Sequence, residues 1–245
     1  MKHRLIIMII GLAILGLGFS AWGKVYWRWR PGSKHAVFKT IPEWREVYQS
    51  NVRINGSRGH VDILGCDDTL PRVMARLKDA FAASCPDASF RHSDSAGWGL
   101  IPTDSMVTRI LALNMGAPKQ TVVFVLTQSP ADYEQSLQSP KTHLLNEVPF
   151  YPGSIAQSFI EDETAAARME ISSAPARPES ILSFFNSAFA QNGYHRMQAA
   201  TGRGSANAGI ALFQKAMSIC CVQVQASPQA NESVITVLHK QLRME

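Results

Sequence analysis

Residues 60–81, HVDILGCDDTLPRVMARLKDAF, align without a gap on residues 168–189, RMEISSAPARPESILSFFNSAF, at an offset of 108. An internal repeat constrains the fold strongly, because whatever buries the apolar face of one copy must also serve the other. Val61 and Met169, Asp62 and Glu170, and Ile63 and Ile171 match in a run that reads as a strand. Val73 and Ile181, Met74 and Leu182, Leu77 and Phe185, and Phe81 and Phe189 match at i, i+3/i+4 spacing, which reads as a helix with one apolar face. Pro71 and Pro178 stand near the two helix starts, where a missing N–H costs little, and Asp68 or Thr69 is placed to cap the first.

The flanks extend the match. Ser89–His92 and Tyr194–Met197 read as short strands after each helix, followed by apolar-rich Met106–Asn114 and Ser218–Gln225. The clearest strands, Thr121–Thr127 and Ser233–His239, are rich in β-branched residues. Asn51–Ile54 and Ile155–Ile160 precede the two units, and Asn55-Gly56 has turn chemistry. Ala131–Gln138 reads as a connecting helix and the Gly/Ser/Ala-rich stretch 199–209 as a hairpin loop. The expected fold class is α+β: an N-terminal transmembrane helix, then two similar modules. Each module is a mostly antiparallel sheet with one main helix on one face, in the order β-β-α-β-β-β. The expected domains are a signal anchor (1–23), a basic and aromatic juxtamembrane linker (24–50), module 1 (51–140) and module 2 (141–245).

The expected anchor rests on Leu5–Gly23, nineteen residues without a charge. At 1.5 Å per residue such a helix spans roughly 30 Å, the thickness of a bilayer core. Beyond it, Tyr26, Trp27 and Trp29 alternate with Lys24, Arg28 and Arg30, and aromatics beside cations suit a membrane interface. Tyr26, Trp27, Arg28, Trp29 and Arg30 are therefore the expected membrane-interface residues. A cleaved signal peptide ending near Ala21-Trp22-Gly23 is the other reading of this segment. Cations following the apolar run favour a body in the cytoplasm, whereas the short basic start resembles an export signal. The export reading places the protein in a bacterial inner membrane, single-pass, with a periplasmic body.

The charge pattern argues against nucleic acid as a partner. Residues 1–50 hold eight Lys/Arg against two acids, while 51–140 hold eight against nine and 141–245 eight against eight. The basicity belongs to the N-terminal end, and the body lacks the basic face that phosphate binding needs.

Cys66-Asp67-Asp68, with His60 upstream, is the one cluster with the look of an active site. A nucleophilic cysteine needs a nearby base and a lowered pKa, and two adjacent carboxylates raise it. Six residues of extended strand put His60 roughly 20 Å away. In the second copy, Ala174-Pro175-Ala176 replaces the cluster, which fits a helix start decorated with acids better than a catalytic centre. His92 with Asp94 reads as exposed strand polarity, and His143, His195 and His239 lack metal-ligand spacing. Glu161-Asp162-Glu163 reads as a solvated turn. The four cysteines, Cys66, Cys85, Cys220 and Cys221, match neither a disulfide nor a zinc pattern. No phosphate, dinucleotide or serine-hydrolase fingerprint occurs, so no cofactor, metal or catalytic residue is expected.

The stretch VPFYPGS, a strand, and a helix ending AFAQNGY resemble small modules in uncharacterised bacterial envelope proteins. The likeness covers residues 148–194, and the first unit lacks both the Tyr-Pro-Gly and the Gly-Tyr. It implies an envelope setting and no activity. The expected function is a non-catalytic subunit or scaffold in an envelope assembly, acting through protein–protein contacts at exposed sheet edges. The alternatives are a module binding a small ligand or cell-wall component in an inter-module groove, and an enzyme using Cys66 and Asp67.

Overall fold

β-branched and aromatic runs form most of the structure, a computed structural model that describes residues 44–94, 96–115, 121–197, 208–227 and 232–242. By contacts the chain divides into two compact units. The first comprises residues up to Val52 and Ser57–Leu137, the second Arg53–Gly56 and Gln138 onwards.

In the first unit, strands Trp44–Ile54 (β1) and Ser57–Cys66 (β2) precede helix Leu70–Ala82 (α1). Four strands follow: Ser89–His92 (β3), Ala96–Pro102 (β4), Val107–Asn114 (β5) and Thr121–Gln128 (β6). Their order in the sheet is β3-β4-β5-β6-β2-β1. Asn55 and Gly56, at φ +52° and +84°, make the two-residue turn between β1 and β2 that only left-handed backbone allows. Leu70, Val73, Met74, Leu77 and Phe81 of α1 are buried against Leu64, Cys66, Ile101, Ile110, Ala112, Val123 and Val125 of the sheet. Helix Pro130–Ser136 (α2), capped by Ser129 accepting from the Asp132 N–H, lies against β2 and β6.

In the second unit, Ile155–Asp162 (β7) and Ala167–Ala174 (β8) precede helix Pro178–Gln191 (α3). Then come His195–Met197 (β9), Ala208–Lys215 (β10), Ser218–Ala226 (β11) and Ser233–Gln241 (β12). Sheet order is β7-β8-β12-β11-β10-β9, antiparallel throughout. Ile181, Phe185 and Phe189 of α3 pack on Phe213, Cys220, Val222, Val224, Ile235 and Val237. The helix ends where Gly193, at φ +77°, lets the Tyr194 N–H reach the Phe189 carbonyl at 3.0 Å. The Tyr194 ring then packs edge-on to Phe189, which completes a Schellman ending and explains the Asn-Gly-Tyr in the sequence.

The expected α+β tandem of β-β-α-β-β-β modules is corrected. The chain is mostly antiparallel sheet, with twelve strands and three helices among the described residues, and four strands follow the main helix of each unit, not three. β4 and β10 were hidden by glycine, which interrupts an apolar pattern. Those glycines mark where a helix crosses the sheet closely: a Cβ on Gly97 would meet Met74, and one on Gly209 would meet Leu182.

The expected single-pass membrane protein is corrected as well. Among the described residues no helix is long and apolar enough to cross a membrane. The three helices have 13, 7 and 14 residues, against about 20 for a span. The described residues thus supply no membrane-spanning helix for the transmembrane and inner-membrane assignment. Residues 5–23 and the expected interface residues Tyr26, Trp27, Arg28, Trp29 and Arg30 lie outside the described residues.

Candidate interaction site

The cluster that drew attention in the sequence has structural partners. Cys66 ends β2 inside the core under α1, and burial pushes its thiol up to about 12, with Asp67 and Asp68 adding to the effect and Arg76 opposing it. Asp67 is exposed and pairs with Arg45. Asp68 is buried, accepts from the Thr69 N–H at 2.8 Å and meets Arg76 at 3.3 Å, so it ties the helix start to the helix's second turn. His60 faces Asn51 at 3.0 Å and Asp62 at 3.4 Å, not the thiol. A protonated thiol with its histidine turned elsewhere is not equipped for nucleophilic attack.

The other sequence candidates are also engaged structurally. All four cysteines are free and buried. Glu161 holds Arg168 at 3.1 Å and Glu163 holds Arg53 at 2.8 Å. Asp162 accepts from the Thr164 and Ala165 N–H groups at 3.0 and 2.8 Å. Together with Ala166, Ala167, Arg168, His239 and Gln241 they line a shallow cleft of about 190 Å³. His239 is buried there against Ser218, and burial lowers its pKa, with Glu147 opposing that shift and Arg168 adding to it. His195 is exposed on β9 at a sheet edge, and His92 is exposed with its ring 3.4 Å from the Ser93 carbonyl. Among the described residues no group of three or more His, Cys, Asp or Glu side chains is placed to hold a metal.

The site that sequence reasoning missed is built around Glu170. This residue stands in β8 between Met169 and Ile171, and its side chain is 6% exposed. A buried carboxylate needs several donors, and here three converge. The Leu144 and Leu145 N–H groups donate to Oε2 at 2.8 and 3.1 Å, and His143 Nδ1 bonds Oε1. On the other side of the ring, His143 Nε2 lies 3.1 Å from the Ser154 carbonyl and 3.2 Å from its hydroxyl. Ser154 closes the Tyr-Pro-Gly turn: its N–H reaches the Tyr151 carbonyl at 3.1 Å, with Gly153 at φ +75°. A charged residue inside an apolar strand was the available signal, but the partner lies 27 residues away.

Ser154, His143 and Glu170 have the composition of a catalytic triad, yet their hydrogen bonds serve another purpose. Nδ1 of His143 is occupied by the carboxylate, and Nε2 lies between the carbonyl and the hydroxyl of Ser154. The Ser154 hydroxyl donates to the Tyr151 carbonyl at 2.6 Å. With its proton directed at that carbonyl, the Ser154 hydroxyl is not poised to give it to the imidazole. The Ser154 N–H is also held within its turn, so it is not directed at an oxyanion. The cluster is a staple that pins residues 143–154 to the sheet, while Leu145, Val148 and Tyr151 pack into the core beneath.

What the staple presents is apolar. Phe150 stacks on the His143 ring at 4.6 Å between centroids and is 57% exposed. Leu144 beside His143 is 42% exposed, and Ile155 beside Ser154 is 68% exposed. The Arg168–Glu147 ion pair and exposed Lys141 supply charge in the same segment. An aromatic with aliphatic neighbours and charged residues nearby has the composition of a protein-binding surface.

No family model matches the chain, and no curated protein matches it. A solved structure described as the apo immunity protein TplEi of T6SS from Pseudomonas aeruginosa is similar over 83% of this chain and 84% of that one. The identity is 12% and the TM-score 0.27, a likeness too slight to assign a fold or a role.

Proposed function

We propose that this protein acts by binding another protein, without chemistry of its own, through the surface formed by Leu144, Phe150 and Ile155. The observation that supports this reading is their exposure on a segment held in place by buried Glu170. Side chains already fixed in position lose little freedom on binding, so their burial converts efficiently into affinity. Each sheet ends on one very short strand, β3 with four residues and β9 with three, and edges that short discourage pairing with another chain. Docking through side chains of the stapled segment therefore accounts for a partner better than docking at those edges.

The test compares the full chain with the double variant Phe150→Asp/Ile155→Asp as bait, using chemical cross-linking and quantitative mass spectrometry. The expected result is a defined protein recovered by the parent and depleted at least tenfold by the variant, with unchanged circular dichroism. Identical recovery by two equally folded baits would end the proposal.

A further inference from the structure

The turn between β7 and β8 and the end of β12 enclose the cleft of the second unit. Backbone ties its walls together, because the Gln241 N–H donates to the Ala166 carbonyl at 3.2 Å. A volume of about 190 Å³ suits a small organic group better than a single water. Glu161, Asp162 and Glu163 line it with Arg168, and three carboxylates against one guanidinium leave a charge of −2. Beside the lining, Glu147 on Arg168 and Arg53 on Glu163 add one charge of each sign, so the sum stands. The cleft therefore favours a cation.

We propose that this cleft binds a primary ammonium group, held by the carboxylates of Glu161 and Glu163 and the imidazole of His239. The independent sign of a ligand is His239, which is 4% exposed, lines the cleft and bonds Ser218 through Nε2. Its Nδ1 has no hydrogen-bond partner among the described residues. A hydroxyl can accept from Nε2–H, which leaves the Nδ1 lone pair to the cleft. Burial lowers the pKa of this ring, against Glu147 and with Arg168, so at neutral pH it is uncharged and able to accept. A buried nitrogen without a protein partner takes one from outside. Glu161 and Glu163 each give only Oε1 to an arginine, at 3.1 and 2.8 Å, and their Oε2 atoms bond no described residue. Among the described residues no cluster is close enough to hold a metal ion, whose ligands stand about 2.0–2.6 Å from it. An ammonium group brings three N–H donors and reaches acceptors at about 2.7–3.2 Å, so it fits a more widely spaced set.

Titration of the full chain with n-butylammonium, followed by calorimetry and by the His239 ring signals in NMR spectra, tests the site. Saturable binding is expected, with tetramethylammonium, a cation lacking N–H donors, about tenfold weaker or worse. Glu161→Gln/Glu163→Gln alters two partly exposed side chains and should weaken butylammonium by a similar factor, with unchanged circular dichroism. His239→Gln should weaken it too, and if that variant fails to fold the double variant decides. The methylamide of Nα-acetyl-lysine separates the sources: binding equal to butylammonium marks a protein's lysine side chain and weaker binding a free amine, and either supports the site. Binding that does not saturate, or that the folded double variant leaves unmoved, would overturn the proposal.

Discussion

Met74 lies over Gly97 so closely that a Cβ on the glycine would stand 2.4 Å from the methionine sulfur and 2.8 Å from its Cγ. In the second unit Leu182 stands over Gly209, where the corresponding distance to Leu182 Cδ1 is 2.2 Å. Helix and sheet meet at these points because the strand offers no side chain. The surroundings differ, since Met74 is 2% exposed whereas Leu182 is only partly buried. Gly97→Ala is therefore expected to cost about 1–3 kcal/mol, and Gly209→Ala less than about 1 kcal/mol because Leu182 can rotate outward. Urea unfolding of the two variants measures the difference, and the reverse order would contradict this account of the packing.

Replacing Glu170 by alanine removes the common acceptor of His143, Leu144 and Leu145. The expected loss is about 3 kcal/mol, with amide exchange at Leu144 and Leu145 accelerated well beyond the global effect. His143→Ala should cost less, because the carboxylate keeps both backbone donors. Equal protection of those two amides in Glu170→Ala and the parent would show that the staple does not hold the segment.

Ala166 and Ala216 sit at φ +49° and +46°, a conformation unfavourable to a residue with a Cβ. Ala166→Gly and Ala216→Gly should each raise stability by about 0.5–1 kcal/mol. Thermal melts of the single and double variants, expected to be additive at separate turns, provide the check.

Burial raises the thiols of Cys66 and Cys220 to about 12 and that of Cys221 to about 11. Above pH 9 the unfolded chain loses these protons before the folded one does, so stability falls as pH rises. Tyr133 and Tyr194, also raised by burial, act in the same direction. Buried Arg109, lowered to about 10 among Gln128, Ser136 and the Tyr133 ring, acts oppositely. Five groups outweigh one, so the urea midpoint should drop between pH 8 and pH 10.5. Native protein at pH 8 should resist thiol reagents at these three positions until it is unfolded.

The parts of the fold legible in the sequence were those written in local periodicity. The helix faces Val73, Met74, Leu77, Phe81 and Ile181, Phe185, Phe189 can be read from spacing, as can the β-branched strands β6 and β12. β4 and β10 were not legible, because Gly97, Gly99 and Gly209 resemble loop residues until Met74, Phe90 and Leu182 are seen above them. The Cys66 cluster drew attention by composition, and only burial showed its thiol to be locked in the protonated form. Glu170 passed as one member of an aligned strand.

Taken alone, the sequence determined the main helices, the β-branched strands and the faces they bury, since those depend on neighbours within one or two turns. Tertiary structure decided what the polar residues do. Glu170, His143 and Ser154 meet through chain reversals that no local pattern encodes. Whether a carboxylate or imidazole is a base, a ligand or a staple depends on which donors and acceptors the packed core brings within 3 Å or so.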